Sequence, residues 1–188
     1  IPVSAQGVVD LEAYTKKLTE DVELVSVMLA NNETGFVLPV AQMAQMAREA
    51  GVSFHTDAVC AAGKIPLSFK ELGVDFLSFS SHKFGGLKGV GGIVMRRDAK
   101  LSPLLHGGPQ EVEKRAGTEN VLGIASTAFA LQFHEQSLEQ KQEKMARFRQ
   151  KLKQGILDMY PDARINESAD RLAQTLNVSF LGLNGNLL

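Results

Sequence analysis

Residues 75–92 read Asp75-Phe-Leu-Ser-Phe-Ser-Ser-His-Lys-Phe-Gly-Gly-Leu-Lys-Gly-Val-Gly-Gly92. The stretch opens as a strand, with Phe76, Leu77 and Phe79 apolar, and breaks into Ser80, Ser81, His82 and Lys83. Five glycines follow before a second apolar run, Ile93-Val94-Met95. A lysine amine is strongly hydrated, and a fold seldom sets one just past a buried strand, beside a glycine loop, without a use for it. Two readings stand on these residues alone. Lys83 is a solvated group in a glycine turn, as most lysines are, or it is a Schiff-base lysine with Ser80 and His82 as phosphate donors beside it.

Working outward, the chain alternates. Asp10 is placed to cap a short helix in which Leu11, Tyr14 and Leu18 share a face. Residues 22–30 are a near-continuous apolar run of strand length, the pattern of a strand buried on both faces of a parallel sheet. Asn31-Asn32-Glu33-Thr34-Gly35 ends that run. Val40, Met43, Ala44, Met46 and Ala47 recur at helical spacing, and strands are expected over 52–56, 74–79 and 92–96 with a helical turn at 69–72. The order strand, helix, strand, turn, strand is that of an α/β sheet with largely parallel strands. Residues 121–159 carry one long helical pattern, apolar at first and heavily charged after Glu135, as in a helix that leaves a core and bridges two domains. Short strands are expected over 162–166 and 175–180.

Composition narrows the class. A chain of 188 residues, 44% hydrophobic and 22% charged, carries one sizeable core and at most a small second unit. A net charge of −1 with dispersed basic residues argues against a nucleic-acid partner. No apolar run reaches the roughly 18 residues of a membrane span, and the first residues lack the pattern of a signal peptide. The lone cysteine, Cys60, excludes an internal disulfide or an all-cysteine metal site, so a cytoplasmic or organelle-matrix setting is expected.

Ligands of open parallel sheets bind beyond the carboxyl ends of the strands. Three expected strands end in chemically loaded residues: Asn31, Asn32 and Glu33; then His55, Asp57 and Cys60; then Ser80, His82 and Lys83. Asn32 alone reads equally as a turn residue, and Asp57 alone as a helix cap. Together, an acid that keeps a pyridinium nitrogen protonated and a lysine that binds an aldehyde make the electron-sink arrangement of pyridoxal phosphate.

Four segments then carry a family resemblance: Met-Leu-Ala-Asn-Asn-Glu-Thr-Gly over 28–35; His-Thr-Asp-Ala-Val-Cys-Ala-Ala-Gly-Lys over 55–64; Ser-Ser-His-Lys-Phe-Gly-Gly with Lys-Gly-Val-Gly over 80–91; and His-Gly-Gly-Pro-Gln-Glu through Arg-Ala-Gly-Thr-Glu-Asn over 106–120. In this order they closely resemble the NifS/IscS-type cysteine desulfurases of the class-V aminotransferase family. The resemblance implies an α/β chain of the PLP-dependent transferase fold type I. It further implies that residues 1–134 are the C-terminal part of a large domain with a mainly parallel sheet, and that 135–188 are a linking helix and the beginning of a small α/β domain.

The same resemblance implies pyridoxal 5′-phosphate as cofactor, L-cysteine as substrate and a sulfur-acceptor or scaffold protein as partner. Lys83 is then the catalytic lysine that binds the cofactor, Asp57 faces the pyridine nitrogen, Asn32 lies by the ring oxygen, and Ser80 and His82 take the phosphate. Thr118 reaches the phosphate held by a second copy, which implies a homodimer. Cys60 stands where the family usually has a glutamine on the cofactor's phenolic oxygen, and a thiol is a weaker, shorter donor. Leu87, Pro109 and Val112 also depart from the usual pattern, so altered turn geometry is expected near 109–112. The sulfur-carrying cysteine loop is expected C-terminal to Leu188 and part of the phosphate site N-terminal to Ile1. Residues 1–188 alone are therefore expected to be inactive as a desulfurase. The competing expectations are a selenocysteine lyase or other class-V enzyme, and a non-catalytic homologue that only binds a partner.

Overall fold

The computed structural model describes residues 1–4 and 6–184. Asp10 Oδ1 accepts a hydrogen bond from Ala13 N at 2.8 Å, and helix α1, Leu11–Thr15, winds from that cap. The apolar run that follows forms β1, Leu24–Met28. Asn31 stops it: its Oδ1 accepts from Glu33 N and Thr34 N, both at 2.9 Å, drawing the backbone out of the ladder into a turn. Helix α2 is Val40–Glu49, β2 Ser53–Asp57 and α3 Phe69–Leu72. Strand β3, Phe76–Ser80, passes through a 3-10 turn, Ser81–Phe84, toward β4, Gly91–Met95.

These four strands form one sheet in the order β1-β2-β3-β4, with β1/β2 and β2/β3 parallel. Strand β4 runs antiparallel to β3, pairing Phe76 with Met95 and Ser80 with Gly91. The connection over 81–90 is too short for the crossover a parallel neighbour needs, so the chain turns back. One face packs on α2, where Val25, Phe54 and Leu77 join Met43, Ala44 and Ala47 in the core. The alternating burial of β1 and β2 leaves Leu24, Ser26 and Met28, and Ser53, His55 and Asp57, on the other face. The 22–30 run thus differs from its expected burial on both faces: Leu24 is 53% exposed, and among the described residues only the α2 side is covered.

The helical pattern of 121–159 divides into two helices, α4 (Val121–Glu135) and α5 (Leu138–Met159), where one continuous helix was expected. The break falls at Ser137, whose hydroxyl donates to the Phe133 carbonyl at 2.9 Å, a side-chain bond that competes with the helical ladder. Strands β5, Arg164–Asn166, and β6, Asn177–Ser179, pair antiparallel as a second, two-stranded sheet.

Residues 170–172 tie this second unit to the loop after β1. Val37 N donates to Asp170 O at 3.0 Å, Leu172 N to Gly35 O at 2.7 Å, and Asn177 Nδ2 to Glu33 O at 3.2 Å. Leu172 sinks into the main core beside this seam. Nearby, Glu167 accepts from Lys153 Nζ and pairs with Arg171, each at 3.0 Å. Burial pushes the Glu167 carboxyl up, but the Lys153 hydrogen bond and the Arg171 charge together hold it below the ordinary glutamate value.

Tyr14 locks α1 onto the core. Its ring is buried, its hydroxyl donates to the Met43 carbonyl at 3.0 Å, and burial pushes its pKa up to about 12. A phenol that holds its proton more tightly when folded stabilises the fold fully below the ordinary tyrosine pKa of 10.0, and that contribution is lost as pH rises toward about 12. Tyr14→Phe is predicted to cost about 1 kcal/mol at neutral pH through the lost hydrogen bond. The same variant should lose stability less steeply than the parent between pH 10 and 12, as read by urea unfolding at stepped pH; parallel curves would contradict this role.

Candidate cofactor site

Parallel pairing puts the carboxyl ends of β1, β2 and β3 on one edge of the sheet, and that edge collects most of the candidate residues. Asp57 ends β2 between two anchored neighbours: its carbonyl accepts from Leu29 N at 2.8 Å, and Ala58 N donates to the Ser78 carbonyl at 2.9 Å. Asp57 Oδ1 accepts from Val59 N at 2.8 Å. No helix follows for Asp57 to cap; residues 59–64 form turns, and the exposed carboxylate braces the first of them. Asn32 follows β1, exposed, making no side-chain hydrogen bond to a described residue; Asn31, not Asn32, builds the turn.

Ser80 closes β3, and its Oγ lies 2.9 Å from His82 Nδ1. A hydroxyl and an imidazole held together in this way present two groups able to donate to one anion. Lys83 is exposed in the 3-10 turn directly after them. Cys60 is a free, half-buried thiol in the turns after β2, packed against the main core. Thr118 lies apart, exposed on the segment before α4, and no hydrogen bond among the described residues joins it to the sheet edge. In that segment Glu111, Val112 and Glu113 have φ of 50°, 54° and 59°. These values put the segment that carries Pro109 and Val112 in a left-handed turn, a conformation β-branched residues rarely adopt.

Two arrangements are absent from the sequence expectations. His55, expected only as a strand-end residue, spans three strands, with Nδ1 2.8 Å from Ser26 Oγ and Nε2 3.1 Å from Ser78 Oγ. It sits on the same sheet face as Asp57, two residues earlier, and the period of a strand was the available signal. The second is a hydroxyl pair under the lysine turn, Ser81 with Thr127, 2.9 Å apart. An open cleft of about 550 Å³ between β1, the 31–37 loop and the second sheet is lined by Ser26, Met28, Asn31, Phe36 and Asn166 among others. Among the described residues no ionisable side chain lines it.

The family model for class-V aminotransferases matches residues 1–188. The chain belongs to that family. It is 43% identical to a protein of Azotobacter vinelandii named cysteine desulfurase NifS and 41% identical to a cysteine desulfurase of Sinorhizobium fredii, in each case over 98% of this chain. The alignments cover 46% and 48% of those proteins, so the chain spans about half the length of the curated relatives it matches. Among solved structures, a NifS-like protein superposes with a TM-score of 0.93 at 40% identity, covering 100% of this chain and 52% of that one. The architecture is accordingly a portion of the PLP-dependent fold type I.

Enzymes of this family depend on pyridoxal phosphate, and the donor set at the sheet edge fits it. An exposed carboxylate, a primary amine and a paired hydroxyl and imidazole match a ring nitrogen, an aldehyde and a phosphate in kind. The loop that follows the lysine is held to glycine by packing on its buried side. A Cβ at Gly86 would fall on Ser81 Oγ, which is fully buried and cannot move aside. Gly86→Ala is predicted to destabilise the fold by about 1–3 kcal/mol through overpacking and to lower pyridoxal phosphate retention on dialysis; a variant matching the parent in both would show that the loop yields freely.

Proposed function

We propose that this chain is part of a cysteine desulfurase, which removes sulfur from L-cysteine, releases L-alanine and hands the sulfur on as an enzyme-bound persulfide for iron–sulfur cluster or thiocofactor assembly. The observation that carries the reading is the pairing of Asp57 and Lys83 at the ends of adjacent parallel strands, with Ser80 and His82 between them in the chain. The names of the relatives supply the reaction.

When bound here, pyridoxal phosphate supplies an electron sink for charge developing at the substrate α-carbon. Asp57, braced by Val59 N, would keep the ring nitrogen protonated, and Asn32 would stand by the ring oxygen. Ser80 and His82 would donate to the phosphate. Lys83, its amine freed once substrate has taken its place on the cofactor, would take a proton from the substrate α-carbon and later return one. Cys60 is half-buried, and its packing against the core argues against its being the thiol that accepts sulfur. In this reading that thiol lies in the part of the relatives' length that the chain does not span, and the acceptor or scaffold protein is a separate partner.

A homodimer completes the reading. Helix α4 exposes Val121, Leu122 and Phe129 at 70%, 78% and 72%, and Leu104, in the segment before it, is 90% exposed. A surface this apolar marks an interaction site, and a second copy seated on it would receive Thr118 at its own phosphate. The division into 1–134 and 135–188 is supported by the helix break at Ser137. The unpaired thiol suits a cytoplasmic or organelle-matrix setting, and no helix among the described residues is long and apolar enough to cross a membrane.

Two measurements test the proposal. Borohydride reduction of the protein loaded with pyridoxal phosphate should fix the pyridoxyl group on Lys83 alone, as read by peptide mass spectrometry; a label on another lysine would end the assignment. The isolated 188-residue chain, given L-cysteine, pyridoxal phosphate and a thiol reductant, should release no steady sulfide or alanine. Sustained turnover would make Cys60 the sulfur carrier, and turnover with selenocysteine alone in the whole enzyme would favour a selenocysteine lyase.

A further inference from the structure

The turn that carries Lys83 is fastened from beneath by α4. A 3-10 helix has three residues per turn, so Ser81 and Phe84 eclipse on one side while His82 and Lys83 point to the other. The burial follows this geometry: Ser81 and Phe84 are 0% and 3% exposed, and His82 and Lys83 are exposed. Phe84 packs with Ala130 of α4 and Ala62. Ser81 Oγ lies 2.9 Å from Thr127 Oγ1, which also lies 2.8 Å from the Gly123 carbonyl. A carbonyl only accepts, so the single Thr127 proton goes to Gly123 and the Ser81 hydroxyl donates to Thr127.

Further contacts reinforce the grip. Leu87 N donates to Ser126 Oγ at 2.9 Å, and Ser81 N donates to the Val90 carbonyl at 3.1 Å, closing the neck of the loop. Gly123 lets the helix come this close, since a Cβ there would stand 3.0 Å from Val90 Cβ. All these contacts lie below the turn, and none involves His82 or Lys83.

We infer that Ser81 and Thr127 are positioning residues for Lys83: a buried hydroxyl pair that sets the height and direction of the lysine turn above the sheet edge. The inference rests on the reading of Lys83 as the cofactor lysine. It assigns Thr127, on a helix 44 residues further along the chain, a role in proton transfer through geometry alone. A displacement of about 1 Å at a reacting group costs up to about a hundredfold in rate.

The test uses the full-length enzyme loaded with pyridoxal phosphate, comparing the parent with Thr127→Val, Thr127→Ser and Ser81→Ala. Valine keeps the shape of threonine and deletes the hydroxyl. Thr127→Val is expected to lower kcat about tenfold with KM changed less than about threefold, and to speed amide hydrogen exchange in residues 82–90 about tenfold. Thr127→Ser should restore both. A Thr127→Val enzyme with a lower melting temperature but parental kcat and loop exchange would overturn the inference, since the pair would then only add stability. If Thr127→Val does not fold, Ser81→Ala is decided on the same two readouts, and parental values there overturn it equally. A Lys83→Ala control separates the two levels. Cofactor still covalently held in that variant would refute the site reading itself. Its loss alongside a parental Thr127→Val would refute the anchor alone.

Discussion

The parallel register of β1, β2 and β3 is the constraint from which the rest follows. Parallel strands share a direction, so each residue that ends one of them arrives at the same edge whatever its distance in sequence. Asn32, Asp57 and Ser80-Ser81-His82-Lys83 come together for that reason and not because any of them attracts another. Backbone bonds then set the details: Leu29 N and Ala58 N hold Asp57 from both sides, so its carboxylate is aimed by the ladder rather than by a side-chain partner. A site built in this way is stiff where the sheet is stiff. It can present a carboxylic acid and an amine, both exposed, at one edge because neither has to carry the packing.

What was legible in the chain divides along the same line. Strands β1 to β3, α2, the Asp10 cap and the small turn at Phe69–Leu72 could be read because each is a local decision, made by apolar period, a capping carboxylate or a glycine stop. The candidate residues at the strand ends were legible for a related reason, since polar groups at the ends of apolar runs stand out. The reversal of β4 depended on connection length rather than on the strand's own residues. The break between α4 and α5 turned on one serine bonding back to Phe133. The hydroxyl pair under the turn joins positions 81 and 127, and nothing in the neighbourhood of either residue announces the other. Thr127 was hidden in an apolar helix, where a hydroxyl reads as neutral filler.

The two faces of the main sheet have different characters. Beneath, Phe54, Leu77 and the small residues of α2 form a close-packed core. Above, Ser26, His55 and Ser78 form a hydrogen-bonded row across three strands, flanked by exposed Leu24 and Ile93. The polar row leads toward Asp57, whereas Leu24, Ile93 and the residues Val121, Leu122 and Phe129 of α4 leave apolar surface exposed. The second sheet contributes differently. It reaches back through residues 170–172 to grip the loop after β1, so the backbone next to Asn32 is held by a part of the chain more than a hundred residues away.

That contrast in separation bears on chain entropy. The cost of closing a loop rises with the logarithm of its length. The turn bearing Lys83 closes the antiparallel β3–β4 pair over residues 81–90, the most local pairing in the main sheet. Asp57 depends on a crossover through α2 to meet β1, and the 31–37 loop waits on the far end of the described chain. The amine is thus carried on the segment that the unfolded chain closes at least entropic cost. The groups that would surround a cofactor are gathered to it across progressively longer loops.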